Sequence, residues 1–177
     1  MTTLMDDVLN QMNKQLARIE TSLNRLTEEQ VWRKLHPDTN SVANLCFHLA
    51  GNEYQHFVSG IGGKPFIRQR SEEFNLAGGK SKAEILDQLK AVREESAIIL
   101  GQLTNEDLLR EVQVYYDADD WQRMMAGSGA ETEPYYIRPI RNHLFAVAEH
   151  YGYHTGQIVY MTKLMQAGGM NIAGYAH

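Results

Sequence analysis

Apolar residues recur at intervals of three and four along four long stretches of this chain, the spacing that lines one face of an α-helix. In the first stretch Leu4, Val8, Leu9, Met12, Leu16, Ile19, Leu23 and Leu26 form one stripe, which predicts a helix over residues 4–26. The second begins at Asn40-Ser41, where a polar N-cap precedes Val42, Leu45, Cys46, Leu49, Tyr54, Phe57 and Val58. Gly60-Ile61-Gly62-Gly63-Lys64-Pro65 ends it with the strongest run of helix breakers in the chain. The third opens on Ser81-Lys82-Ala83-Glu84, a capping box, and continues through Ile85, Leu86, Leu89, Val92, Ile98, Ile99 and Leu103. The fourth starts near Ile137 or Pro139 and reaches about Met165, with Ile140, Leu144, Val147, Tyr151, Ile158, Met161 and Leu164 toward the core and Gly168-Gly169 as its stop.

The links carry weaker signals. Thr27-Glu28-Glu29-Gln30 caps a short helical turn that ends near Trp32, and His36-Pro37-Asp38 prevents its continuation. The polar link up to Lys80, with Phe66, Ile67 and Phe74 as anchors, is long enough for a crossover between parallel helices rather than a tight hairpin. Thr104-Asn105-Glu106-Asp107 caps a further turn. Glu111-Val112-Gln113-Val114-Tyr115 alternates with period two and predicts a short strand, with Tyr135-Tyr136-Ile137 as its hairpin partner. The acidic, glycine-containing segment 117–134 between them reads as a loop. No internal repeat or low-complexity tract interrupts the pattern. The expectation is therefore an all-α four-helix bundle with long connections and one short β-hairpin, formed by residues 1–177 as a single domain.

Composition narrows the functional classes. The chain has 177 residues, 17 Lys and Arg against 22 Asp and Glu, and a net charge of −5. With no basic run and no basic stripe, nucleic acid is not an expected partner. No run approaches the roughly 18 apolar residues of a membrane span, and Met1 to Asp7 lacks the basic and apolar regions of a signal peptide. A single cysteine, Cys46, excludes an internal disulfide framework and fits a cytoplasmic setting.

The chemistry concentrates in the histidines. His150 and His154 are four apart in the last helix, so both rings lie on one face one turn apart and can address a single metal ion. His48, mid-helix in an apolar stretch between Asn44 and Asn52, is a candidate third ligand. Three histidines with an open fourth position are the pattern of a catalytic zinc-type centre, although nitrogen donors alone also suit nickel, iron or manganese. The bland alternatives are a satisfied core histidine at 48 and a polar helix face at 150 and 154. His143, seven before His150, is assigned to the pocket wall, with a further ligand or a group supporting the ligands from behind as the alternatives. Gln157, three after His154, is placed to orient a ligand ring or to serve as an ordinary interface polar group. Asn52 and Tyr153 are further pocket candidates. Glu53 and Glu149 are weighed as general bases and assigned to solvated helix faces; His36, His56 and His177 are assigned to surface or loop positions. Cys46 and His48 are two apart and point to different helix faces, which argues against a Cys–His nucleophile and for a buried structural thiol.

The run Asn40-Ser41-Val42-Ala43-Asn44-Leu45-Cys46-Phe47-His48-Leu49-Ala50-Gly51-Asn52 resembles the second helix of the DinB-like family, and His150-Tyr151-Gly152-Tyr153-His154-Thr155-Gly156-Gln157-Ile158-Val159 resembles its last helix. The likeness extends over essentially the whole chain, including the long connection after the second helix and the Glu-Phe pair within residues 70–74. It implies an up-down-down-up bundle, often homodimeric, in which three histidines, here His48, His150 and His154, hold a divalent metal, usually zinc or nickel. Relatives include bacillithiol- and mycothiol-dependent transferases. The function expected from this resemblance is a metal-dependent enzyme that transfers a low-molecular-weight thiol to a small electrophile. A metal-dependent hydrolase and a non-catalytic dimeric binding or scaffold protein are the alternatives. The pocket is expected where the second and last helices meet, closed by residues 61–80 and 117–136.

Overall fold

The computed structural model describes residues 2–126 and 133–166, and helices dominate it. The elements in order are α1 (Leu4–Arg25), α2 (Glu28–Trp32), α3 (Val42–Glu53) continued by a π-helical turn (Tyr54–Ile61), α4 (Arg70–Asn75), α5 (Lys82–Leu100), a 3-10 turn (Asn105–Leu109), β1 (Glu111–Tyr115), α6 (Ala118–Met125), β2 (Tyr135–Pro139) and α7 (Ile140–Met165). The starts are chemically marked. At Thr3, Thr27, Ser41 and Ser81 a hydroxyl accepts from the backbone N–H three residues on, while the side chain at that position bonds back to the cap. Each box satisfies donors that the first helical turn leaves free and contributes about 1 kcal/mol.

Cross-contacts give the four long helices their directions. Gln166 Nε2 donates to the Arg25 carbonyl and Gln30 Nε2 to that of Met165, so α1 and α7 run parallel. Lys82 reaches the Leu26 carbonyl and Lys90 pairs with Glu20, so α5 runs against α1. Glu53 meets Arg93 and Lys64 meets Glu95, which makes α3 and α5 parallel and explains the long crossover between them. His48 faces His150 while His56 faces His143, so α3 and α7 are antiparallel. The bundle is therefore up-down-down-up. Strands β1 and β2 pair antiparallel, Val112 opposite Arg138 and Val114 opposite Tyr136. Among the described residues no helix is long and apolar enough to cross a membrane.

The core follows the predicted stripes. Met12, Ile19, Leu49, Leu89, Leu144, Val147 and Ile158 are wholly buried, each stabilising the fold by about 1.5–3 kcal/mol. Two predicted core positions point outward instead: Ile98 is 65% exposed and Leu164 57%. A charged knot sits within the apolar interior. Arg93 of α5 donates to both Glu53 oxygens at 2.7 and 3.0 Å, to Asn13 of α1 at 2.8 Å, and lies over the Tyr151 ring of α7. Glu53 is thus not the solvated carboxylate expected: it is fully buried and answers the charge of Arg93.

Two further local readings are corrected. Segment 117–134 is not all loop: Asp117 caps Asp119 and Asp120, and Ala118–Met125 is helical. And α3 does not end as an ordinary helix. Its backbone widens into the π turn, which rotates the register so that Gln55, His56, Phe57, Val58 and Ser59 are all buried in succession. His56 therefore lies inside, not on the surface. The Gly168-Gly169 stop and His177 lie outside the described residues.

Candidate metal centre

Three imidazoles meet where α3 crosses α7. His48 Nε2 lies 3.0 Å from His150 Nε2, and His154 Nε2 lies 3.1 Å from the same atom. These ligand atoms all fall within 4.8 Å of one another, and the described residues add no fourth histidine, cysteine or carboxylate to the group. The helices supply this geometry simply. His150 and His154 are one turn apart on α7, and α3 presents His48 across the antiparallel seam.

Behind the rings, acceptors fix which nitrogen carries the proton. Glu73 Oε2 is 2.9 Å from His48 Nδ1. A carboxylate only accepts, so Glu73 favours the proton on Nδ1 and the lone pair on Nε2; Arg68 Nη2, 3.0 Å from the same Nδ1, donates to Glu73 Oε2 instead. Gln157 Oε1 does the same for His154 Nδ1 at 2.7 Å. Glu73 is itself clamped by Arg68, whose Nε meets Oε1 at 2.7 Å and whose Nη2 meets Oε2 at 2.8 Å. Arg68 Nη1 donates onward to Gln55, and Gln55 to the Tyr115 carbonyl. A chain of polar contacts thus connects the hairpin to His48. Gly51 makes room for it, since a Cβ there would stand 2.0 Å from Glu73 Oε1. Phe74 covers the His48 ring at 4.8 Å between centroids.

Electrostatics keep the three rings neutral. Burial pushes the His150 pKa down to about 3, helped by His48 and His154 and by the charges of Arg68 and Arg70. His48 is lowered by burial, against the upward pull of Glu73. His154 is lowered by burial, partly offset by Gln157. The result is that His48 and His154 hold their Nδ1 protons on the far side and turn Nε2 lone pairs toward His150 Nε2 at 3.0–3.1 Å, while His150, whose Nδ1 has no partner, can carry its proton on either nitrogen. With His150 in its Nδ1–H form, a cation between the rings would be met by three lone pairs. The donor set, neutral imidazole with oriented outer acceptors, is the one divalent transition metals take.

A family model described as mycothiol-S-transferase matches residues 7–165, which include all three histidines and Glu73, Arg68 and Gln157. The chain belongs to the mycothiol-S-transferase family. Membership bears out the DinB-like resemblance. Among solved structures, a conserved protein from Enterococcus faecalis is similar at TM-score 0.63 and 17% identity, over 93% of this chain and 98% of that one, which shows the shared fold. No curated protein matches the chain.

The other candidate residues of this family member are dispersed. His143 does not join the three; its Nδ1 lies 3.0 Å from that of His56, and its ring stacks on Tyr136. Asn52 lies one turn beyond His48, with a buried Oδ1 that has no partner. Tyr153 is 63% exposed, its ring edge-on to His154 at 5.0 Å. Glu149 is exposed, as expected. Cys46 is buried and its thiol is pushed up to about 12, which leaves it inert. Residues 61–80 do close over the site by delivering Arg68, Glu73 and Phe74, and α6 braces them through Asp120 and Ser71. Two clefts flank the centre. One of about 720 Å³ lies behind Arg68 and Glu73, between α3, α4 and α5; one of about 420 Å³ borders Gln157 and Tyr160. No pattern in the sequence marks Arg68 or Gln55, and Glu73 shows only as part of the Glu-Phe pair within residues 70–74.

Proposed function

We propose that this protein is a metal-dependent transferase that joins a low-molecular-weight thiol to a small electrophile, with His48, His150 and His154 holding zinc or nickel. The convergence of three neutral Nε2 atoms, two with their Nδ1 protons oriented from behind, carries the reading. A divalent cation there would depress the pKa of a thiol, or of water, at its open position. The chain's own part is arrangement. Glu73 and Gln157 hold two rings in the correct tautomer, Arg68 balances the Glu73 charge, and Phe74 shields one side of His48 from solvent.

The scaffold alternative needs a closed coordination shell, and its best candidate for a fourth ligand, His143, is bonded to His56 instead. The family points to a thiol before water, which places hydrolysis second. The protein is taken to work in the cytoplasm as a homodimer. Phe145, Tyr153, Tyr160 and Leu164, each more than half exposed along one side of α7, support the second of these.

The test is thiol consumption in the presence of an electrophile, with mycothiol and other small thiols, by metal-loaded and metal-free protein. Metal-dependent acceleration, abolished in His150→Ala, supports the reading. Acceleration of ester hydrolysis but of no thiol transfer would replace it with the hydrolase.

A further inference from the structure

Two groups reach His48 Nδ1: Glu73 Oε2 at 2.9 Å and Arg68 Nη2 at 3.0 Å. They demand opposite tautomers. The carboxylate accepts, which puts the proton on Nδ1 and a lone pair on Nε2. The guanidinium donates, which would put the lone pair on Nδ1 and the proton on Nε2, the atom that faces His150. Whether His48 offers a lone pair to the centre therefore depends on where Arg68 directs its N–H groups.

A guanidinium is a rigid planar fork, so a hold on one branch orients the others. Arg68 Nη1 donates to Gln55 Oε1, while Nε and Nη2 address the two oxygens of Glu73 at 2.7 and 2.8 Å. The Gln55 amide has one orientation available. Its Nε2 donates to the backbone carbonyl of Tyr115, which only accepts, so its Oε1 is the atom left for Arg68. Gln55, Arg68 and Glu73 are all buried, where such bonds are stronger than in water. The backbone lets the fork lie flat. His48, Gly51 and Gln55 follow one another at three and four residues along α3 and the start of its π turn, and a Cβ on Gly51 would stand 2.8 Å from Arg68 Nε. Arg68 thus spans from Gln55 to His48 across a strip of bare backbone. Without the Gln55 acceptor its Nη1 is left buried and unsatisfied, and the other acceptors it already touches besides Glu73 are His48 Nδ1 and the His48 carbonyl.

We infer that Gln55 is a positioning residue of the histidine centre: by holding Arg68 Nη1 it commits the guanidinium to Glu73, and so keeps the His48 proton on Nδ1 and the Nε2 lone pair free. This role rests on the metal-centre reading above only for what that lone pair meets. It makes β1, through the Tyr115 carbonyl, the outermost support of the centre, and it acts without touching a ligand ring.

The experiment reads the tautomer directly. Two-bond nitrogen–proton correlation spectra of the full-length, metal-free protein at neutral pH distinguish a protonated from an unprotonated ring nitrogen, and His48→Gln assigns the His48 signals by their loss. Wild type is compared with Gln55→Met, which removes both polar atoms, and with Gln55→Glu, whose carboxylate still accepts from Nη1. Each sample is then titrated with zinc. Should the methionine variant not fold, Gln55→Asn, one methylene short of Arg68, takes its place. Wild-type His48 is expected to carry its proton on Nδ1. In the methionine variant the Nε2-protonated form should appear and zinc affinity should fall about tenfold; both should largely return with glutamate. A folded methionine or asparagine variant with the wild-type tautomer overturns the role, whatever its unfolding midpoint, since a merely structural Gln55 would change stability alone. A tautomer lost equally in the glutamate variant overturns the route through Arg68. A tautomer that responds as expected in a protein that takes up no zinc refutes the metal reading and leaves the positioning role standing.

Discussion

The α3–α7 seam carries two histidine contacts, and they differ in what lies behind the rings. At one end His48, His150 and His154 turn Nε2 atoms toward each other while Glu73 and Gln157 take protons from behind. About two turns away His56 and His143 meet Nδ1 to Nδ1 at 3.0 Å, where one ring donates and the other accepts. The first arrangement turns two oriented lone pairs inward beside a His150 ring free to take either tautomer, which suits a cation. The second satisfies itself with a proton. Distance does not separate the two contacts, since all three spacings are 3.0–3.1 Å. The outer acceptors do, because they decide which nitrogen is free.

The largest effect on this contrast should come from Glu73→Ala. It removes the acceptor behind His48 and leaves Arg68 buried without its carboxylate. Metal affinity should fall by about 10- to 100-fold and stability by about 3–5 kcal/mol, read by competition with a chelator and by denaturant unfolding. Metal affinity equal to wild type would mean that Glu73 serves the fold alone. His143→Ala is the converse. It orphans a buried His56 nitrogen and should cost about 1–3 kcal/mol of stability with no change in metal content. Loss of metal in that variant would merge the two clusters into one.

Acid sharpens the comparison. In the folded state burial, together with the His143 and Arg68 charges, pushes His56 down to about 3, and burial pushes His143 down to about 4. Both lie below the unfolded value of about 6.5, so the unfolded chain binds protons that the folded one refuses. Their contribution is therefore intact above pH 6.5 and declines as pH falls toward 4, at up to about 1.4 kcal/mol per pH unit for each group. Unfolding midpoints between pH 7 and 4.5 should show this slope in wild type and a shallower one in a His56→Gln, His143→Gln variant. Equal slopes would locate the acid sensitivity elsewhere. The smallest effect is expected from Gln157→Ala, which unties His154 at a partly exposed position. Metal affinity should weaken by roughly tenfold or less, with the unfolding midpoint almost unmoved.

How much of this the sequence discloses depends on periodicity. The stripes of α1, α5 and α7, the capping boxes at Thr27 and Ser81, and the alternating Val112 and Val114 all announce their elements, because each repeats at the spacing its geometry needs. His150 and His154 are legible for the same reason. Arg68 and Glu73 are not: they lie in a polar link with no period, and their role exists only once α4 folds back on α3. His56 is misread because the π turn abandons the α-helical register that a pattern of threes and fours assumes. Segment 118–125 is obscured by its acidic residues, which serve as cap and first turn of α6.

The most direct test of the central claim is the metal content of protein purified without a chelating resin, set beside a His150→Ala, His154→Ala double variant. The account predicts near-stoichiometric zinc or nickel in the wild type and none in the variant, with a chelator lowering the unfolding midpoint of the first and not of the second. A wild type that takes up neither metal on reconstitution, or a variant that retains it in equal amount, would contradict a three-histidine centre between α3 and α7.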